Sequence, residues 1–289
     1  MGFRTIAITK RSKLNLTMGY LEVRGEETKK IFLDDIDTLL IDNQAVSMTT
    51  ALMTQLMQKK IKVIFCDEKR NPMAELVPYY GSSDSSRKVR AQISWLPAVK
   101  EEVWTSIVRE KIRKQADFLR ELGKEREENL LRTYISELVI GDTTNREGLA
   151  AKVYFNGLFG MDFTREESSP TNAALNYGYA LLLSTVNKEI AYNGYLTQLG
   201  LFHDNVFNPF NLTSDLMEPF RILVDRLVYE SRFAKFETEE KRNILCLFEQ
   251  EVTIDGQVQL FSNAVKIYVR SVFQALNERE SDKILFYEL

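Results

Sequence analysis

One histidine, His203, serves a chain of 289 residues. Zinc hydrolase chemistry of the HExxH type needs two on one helix face and is therefore excluded. Cysteine is nearly as scarce. Cys66 and Cys246 stand far apart and form no CxxC pair, so a zinc ribbon is excluded and a reducing cytoplasm is the expected setting. No GxxxxGK[ST] loop, no GxGxxG after a strand and no GxSxG turn occurs. A Ser-His-Asp triad would have to use His203, and no serine stands in a recognisable nucleophile turn. Long apolar runs are missing too. The longest, AALNYGYALLLSTV at 173–186, is too short to cross a bilayer and carries polar residues. The opening MGFRTIAITKRSKLNL puts charges where a signal peptide would need an apolar core, so a soluble protein without a membrane partner is expected. There is no internal repeat and no low-complexity tract. A formal net charge of -3 advertises no polyanionic partner for the molecule as a whole, but a basic face can be cancelled by acids elsewhere.

What is present is an ordinary folding composition, 44% hydrophobic and 27% charged, in a length that suits one large domain or two moderate ones. Periodicity divides it. RTIAIT, KLNLT, YLEVR, KKIFL, DIDTLLID, KVIFCD and AELVPYY are strand candidates, with Met18-Gly19 as a hairpin turn. SMTTALMTQLMQKK interrupts them with a helical face of Leu52, Met53 and Leu56. GSSDSSRKVR at 81–90 is small, polar and aperiodic, as a linker would be. Beyond it, Trp104, Val108, Ile112, Ala116 and Leu119 recur at helical spacing, as do Val265, Tyr268, Val269, Val272, Phe273 and Leu276. Further helices are expected near 129–140, 147–158, 171–190 and 217–231. The expected fold is α+β: a small β-rich N-terminal domain (1–80), a linker (81–90) and a large all-α domain (91–289).

Several features could carry chemistry, each beside a plainer role. Glu147 in NREGLAAK opens an amphipathic run, where an acid in the first turn suits the helix dipole. SPTNAALNYGYALL reads as a helix entry, its Gly178 letting another helix come close. His203 lies in a loop, GLFHDN. Asp215 and Glu218 in SDLMEPFR match the spacing of a helix cap with its third-position acid, and equally that of two carboxylates sharing a cation. Pro219 requires a helix to begin nearby, and Arg221 falls on the Glu218 face. The basic run with Arg87, Lys88, Arg90, Arg109, Lys111, Arg113 and Lys114 is either a solvated helix face or a phosphate-tracking surface. One histidine with two or three carboxylates suits a hard divalent ion, Mg²⁺ or Mn²⁺, and phosphodiester chemistry is the natural use of such an ion.

Taken in order, RSKL, DIDTLLIDN, KVIFCDEKRNP, REGLAAKVYF, SPTNAALNYGYALL, GLFH and SDLMEPFR resemble one family along the whole chain. It is the CRISPR-associated integrase–endonuclease, the catalytic subunit of the spacer-acquisition machinery, and the chain looks most like members from type II (II-A-like) systems. The resemblance implies an N-terminal β domain for dimerisation and a helical catalytic domain. It implies a Mg²⁺ or Mn²⁺ site made by Glu147, His203 and Glu218, with Asp215 as a nearby additional acid. DNA contacts are expected at Arg221, Arg165, Arg87, Lys88 and Arg90; Arg165 is followed by Glu166 and Glu167 where members often carry paired basic residues. The implied reaction joins 3′-hydroxyl ends of short foreign DNA (prespacers) into the CRISPR repeat beside its leader by transesterification. The implied partners are that double-stranded DNA, a second copy of the chain and a small ferredoxin-like adaptation subunit in a 4:2 complex. Other type II adaptation proteins and the RNA-guided effector nuclease complete the list, all in a prokaryotic cytoplasm. The competing readings are a catalytically inactive DNA-binding or assembly protein of the same fold, and a metal-dependent phosphohydrolase acting on small molecules.

Overall fold

The computed structural model describes residues 2–79 and 81–288; Met1, Tyr80 and Leu289, at the ends of the segments drawn above, lie outside them. The N-terminal part holds β1 (Arg4–Ile8), β2 (Lys13–Thr17), β3 (Tyr20–Arg24), β4 (Thr28–Phe32), β5 (Ile36–Ile41), β6 (Ser47–Met48), α1 (Thr50–Gln58), β7 (Lys62–Cys66) and β8 (Pro72–Glu75). They form two four-stranded sheets, in the orders β1-β5-β7-β8 and β4-β3-β2-β6. The turn between β2 and β3 has φ of 49° at Met18 and 81° at Gly19. Two successive positive φ values give the tight hairpin whose twist matches its strands. Thr49 caps α1 by accepting from the Leu52 amide at 3.4 Å, and Leu52 and Leu56 face the core.

The sheet β1-β5-β7-β8 is a wall shared by two interiors. Strand alternation sends Leu39, Ile41 and Val63 into a core with Leu14, Leu21, Leu52 and Leu56. The alternate positions Leu40, Ile64 and Cys66 point the other way, into the helical core. Polar ties fasten that second face to the helices: Lys62 Nζ donates to Thr185 Oγ1 at 2.6 Å and Ser184 Oγ to Glu75 Oε2 at 2.6 Å.

The remaining chain forms α2 (Ser85–Ile93), α3 (Pro97–Glu121), α4 (Glu125–Ser136), α5 (Arg146–Phe159), α6 (Pro170–Tyr192), α7 (Asn211–Met217), α8 (Arg221–Ser231), α9 (Thr238–Leu245), β9 (Glu251–Ile254), β10 (Gln257–Leu260), α10 (Phe261–Glu278) and β11 (Tyr287–Glu288). Every apolar position read as helical in α3 and α10 is buried. Ser169 caps α6 by accepting from the Asn172 amide at 3.1 Å, with Pro170 in its first turn. A Cβ on Gly178 would run into Val224 Cγ1, so this glycine sets how closely α6 and α8 approach.

Three expectations change here. The C-terminal part is helical but not all-α, since β10-β9-β11 form a small sheet. Its hairpin turns at Asp255-Gly256, both with positive φ, a strong turn dipeptide in EVTIDGQVQL. The stretch 81–90 is not an open linker: α2 begins at Ser85, and its Gln92 side chain binds the Leu196 and Leu199 carbonyls and the Leu196 amide. The helix placed at 217–231 starts earlier, at Asn211, and is interrupted by a 3₁₀ turn, Glu218–Phe220, that accommodates Pro219.

Candidate active site

Glu147 sits in the first turn of α5. The start of that helix is built by two side chains. Asn145, in the left-handed region at φ 53°, accepts from the Gly148 amide at 3.3 Å. Asp142 accepts from the amides of Arg146 at 2.7 Å and Glu147 at 2.9 Å. With these orphan amides satisfied, the Glu147 side chain is not needed as a cap and points to Lys111 instead.

Lys111 comes from the middle of α3 and is almost fully buried. Its Nζ pairs with Glu147 Oε1 and lies 2.5 Å from Glu218 Oε2, so one ammonium holds two carboxylates from different elements. Burial would pull the Lys111 pKa down, but Glu218 and Glu147 outweigh it and keep the amine above its ordinary value. Glu218, in the 3₁₀ turn, is pushed up by burial and pulled further down by Arg221 and Lys111, so it stays ionised. Arg221 Nε donates to Glu218 Oε1 at 2.9 Å. Glu218 Oε2 is buried without a directed hydrogen bond, its contact with Lys111 being Coulombic rather than aligned.

His203 is held beside this cluster by Asp215. The Asp215 carboxylate, completely buried in α7, accepts from the amides of Leu201 at 2.6 Å, Phe202 at 3.1 Å and His203 at 3.2 Å. His203 Nδ1 donates to the same carboxylate at 2.5 Å, which in the neutral ring puts the lone pair on Nε2. The ring is fixed further by the edge of Trp104, with centroids 5.9 Å apart, while Trp104 stacks flat on Phe202 at 4.7 Å. The bond to Asp215 is the main cause that raises the His203 pKa; Glu218 and Glu147 add to it from closer to the ion-paired cluster.

Asp215 therefore does not cap a helix, and its oxygens are taken up by the 201–203 loop. The capping-box reading fails because α7 already runs through position 215. Among the described residues no three His, Cys, Asp or Glu side chains stand in a ready-made ligand arrangement, and the Lys111 ammonium contacts both glutamates. Of the expected DNA contacts, Arg221 and Arg165 both cover the Tyr179 ring, at 4.7 and 5.4 Å from its centroid. Arg165 also donates to Asn172 and Asn176, both at 2.6 Å. Arg87 and Lys88 belong to α2 and pair with Asp84; with Arg90 they lie outside the cluster. Lys111 and Lys114 are not on a solvated face, both being buried in ion pairs.

Sequence reasoning missed Lys111. Its signal was there, because it follows Val108 by three residues inside the apolar stripe of α3, where a lysine needs a buried partner. The buried pair Tyr179–Asp225, in which the phenol donates to the carboxylate behind Arg221, carried no sequence signal.

A family model for CRISPR associated protein Cas1 matches residues 6–245. The chain belongs to the Cas1 family. It is 35% identical over 263 residues to the CRISPR-associated endonuclease Cas1 of Neisseria meningitidis serogroup C (strain 8013), covering 89% of this chain and 86% of that one. With the CRISPR-associated endonuclease Cas1 1 of Francisella tularensis subsp. novicida (strain U112) it shares 28% identity over 244 residues, 76% of each chain. Among solved structures, a CAS1 protein from Thermotoga maritima matches with a TM-score of 0.75 at 17% identity, covering 94% of this chain and 97% of that one. A casposase bound to integration product matches with a TM-score of 0.74 at 19% identity, over 96% and 91%. Both structures share the Cas1 fold, with N-terminal sheets followed by a helical part.

Proposed function

We propose that this Cas1-family chain is a divalent-metal-dependent DNA endonuclease and integrase of CRISPR adaptation. Membership of the family, and the endonuclease name of relatives that span most of the chain, support the activity. The observation that carries the site is the convergence of Glu147 and Glu218 on a single cation, next to a histidine whose Nε2 is left open. Glu147, His203 and Glu218 are the proposed ligands. Their donor set fits Mg²⁺ or Mn²⁺: two carboxylates already gathered around one positive charge, one of their oxygens buried without a directed bond, and an imidazole in the ligating tautomer. When bound, the ion supplies Lewis-acid charge at a phosphoryl oxygen.

The protein's own groups do the rest. Asp215 keeps the His203 proton on Nδ1 and the 201–203 loop against Trp104. Arg221 fixes Glu218 with one nitrogen and has further N–H groups for a DNA phosphate, with Arg165 across the Tyr179 ring. The substrate's 3′-hydroxyl oxygen bonds to phosphorus in the repeat, the bond to the leaving 3′-oxygen breaks, and the hydroxyl proton ends on that leaving oxygen through solvent. The substrates are a prespacer and the CRISPR repeat at its leader. A second copy of this chain and a Cas2-type small subunit, in a 4:2 assembly, are the proposed partners. Structures named as a Cas6-RT-Cas1–Cas2 complex and as a casposase bound to integration product share the fold, and they support a Cas2-type partner and an integration role without bearing on the stoichiometry. A half-site integration assay with His203→Ala and Glu218→Gln tests the site; strand transfer at the native rate in either variant would remove that residue from it.

A further inference from the structure

A cavity of about 390 Å³ opens between the N-terminal sheets and the helical part, and none of the residues of the candidate active site lines it. Its walls are the turn after α1, the start of β5, the last turns of α6 and the exposed side of α10. Five cationic side chains line it, among them Lys60, Lys188, Lys266 and Arg270, against only two acids, Asp37 and Glu189. In a chain whose net charge is -3, this local excess is opposite in sign to the whole. Lys59 is paired with Asp34 at 2.5 Å and Lys188 with Asp37 at 3.0 Å, but among the described residues Lys60 and Arg270 have no ion-pair partner. Glu189, the other acid, is buried, and burial raises its pKa.

The cations are close enough to repel one another. Burial first, then Arg270, Lys188 and Lys60, lower the Lys266 pKa, with Glu189 pulling the other way. Gathering like charges costs folding energy, and a bound anion would return it. Tyr192 lines the cavity as well, its ring beneath Lys60, whose Nζ lies 5.4 Å from the ring centroid. The volume lies in the range of small-ligand sites, about 300–1,000 Å³. Along α6, Tyr192 is thirteen residues beyond Tyr179, about 20 Å at helical rise, which separates this cavity from the cluster at Arg221.

We propose that this inter-lobe cavity is a binding site for a phosphate-bearing ligand of nucleotide size, its phosphates held by Lys60, Lys188, Lys266 and Arg270. The shared chemistry is a phosphate group, from either a free small molecule or a nucleic-acid strand.

The test is calorimetric titration of the full chain with inorganic pyrophosphate at low salt. The native protein, Lys266→Gln/Arg270→Gln and the charge-keeping Lys266→Arg/Arg270→Lys are compared, with circular dichroism to verify folding. The proposal expects saturable binding by the native protein, weakened at least about tenfold in the Gln pair and retained in the charge-keeping pair. A labelled ten-nucleotide single strand then separates the sources. Displacement of the strand by pyrophosphate in the native protein, but not in the Gln pair, assigns the site to strand phosphates. Pyrophosphate binding without displacement assigns it to a free phosphorylated molecule. Absence of pyrophosphate binding, or equal affinity in the native protein and the Gln pair, overturns the proposal. Neither result depends on whether Glu147, His203 and Glu218 hold a metal.

Discussion

Replacing Lys111 by methionine, Lys111→Met, keeps the length of the side chain and removes the charge that joins Glu147 to Glu218. In the native protein the ammonium is buried, 2.5 Å from Glu218 Oε2 and paired with Glu147. Without it, the buried Glu218 keeps only Arg221 as a cation and faces Glu147 across the vacated space. Breaking a buried pair from one side costs about 3–5 kcal/mol, and the partial exposure of Glu147 puts the expectation at the lower end, about 3 kcal/mol. A divalent ion should restore much of this, since it then meets two carboxylates with no competing ammonium. At a hundredfold excess over its dissociation constant, an ion bound only to the folded state adds about 2.7 kcal/mol. Urea denaturation of native protein and Lys111→Met, each with chelator and with Mn²⁺ or Mg²⁺, measures both quantities. The variant should be less stable in chelator and gain more from the metal than the native chain gains. A destabilisation below about 1 kcal/mol, or equal metal gains in both proteins, would refute the reasoning.

Asp215→Asn leaves one carbonyl oxygen to serve three amides and an imidazole, and should loosen the loop around His203. Limited proteolysis should cut faster within 200–210, and unchanged cleavage would contradict the role given to Asp215. Asp225 is pushed up to about 6, first by burial, with its bond from Tyr179 and the cations nearby opposing. The fold thus favours its neutral form: the stabilisation is full below the unfolded value, near 3.8, and is lost as pH rises through about 6. Asp225→Asn should remove that pH dependence between about 4 and 6.5, gaining on the order of 3 kcal/mol relative to native at pH 7; parallel stability curves for the two proteins would argue against it.

Most of the fold is legible because its signals are local. The Met18-Gly19 turn, the alternation of β5 and the stripes of α3 and α10 each follow from a handful of neighbouring residues. The Asp255-Gly256 hairpin was equally legible, and was masked by helical patterns on both sides. The site is different. Glu147, His203 and Glu218 each have an ordinary local role, and only the family pattern singles them out. The Lys111 bridge depends on α3, α5 and the 218–220 turn meeting in space, information carried by packing rather than by spacing. Asp215 shows the same limit: its distance from Glu218 suggests a cap, while its partners lie twelve to fourteen residues upstream.

The double-faced sheet has a consequence for how the molecule can be divided. Leu39 and Leu40 are adjacent letters spelling two different interiors, and Val63 and Ile64 repeat the arrangement one strand away. A one-residue slip of β5 would exchange its whole complement of side chains, so its pairing with β1 and β7 is specified twice over. A cut before α2 would follow the change in sequence pattern, yet it would strip Leu40, Ile64 and Cys66 of their cover. The excised N-terminal piece should self-associate through that face, and sedimentation of residues 1–84 against the same piece carrying Leu40→Lys and Ile64→Lys would show it. In this protein the seam between the two halves is inherited by β5 and β7, whose odd and even residues answer to different neighbours.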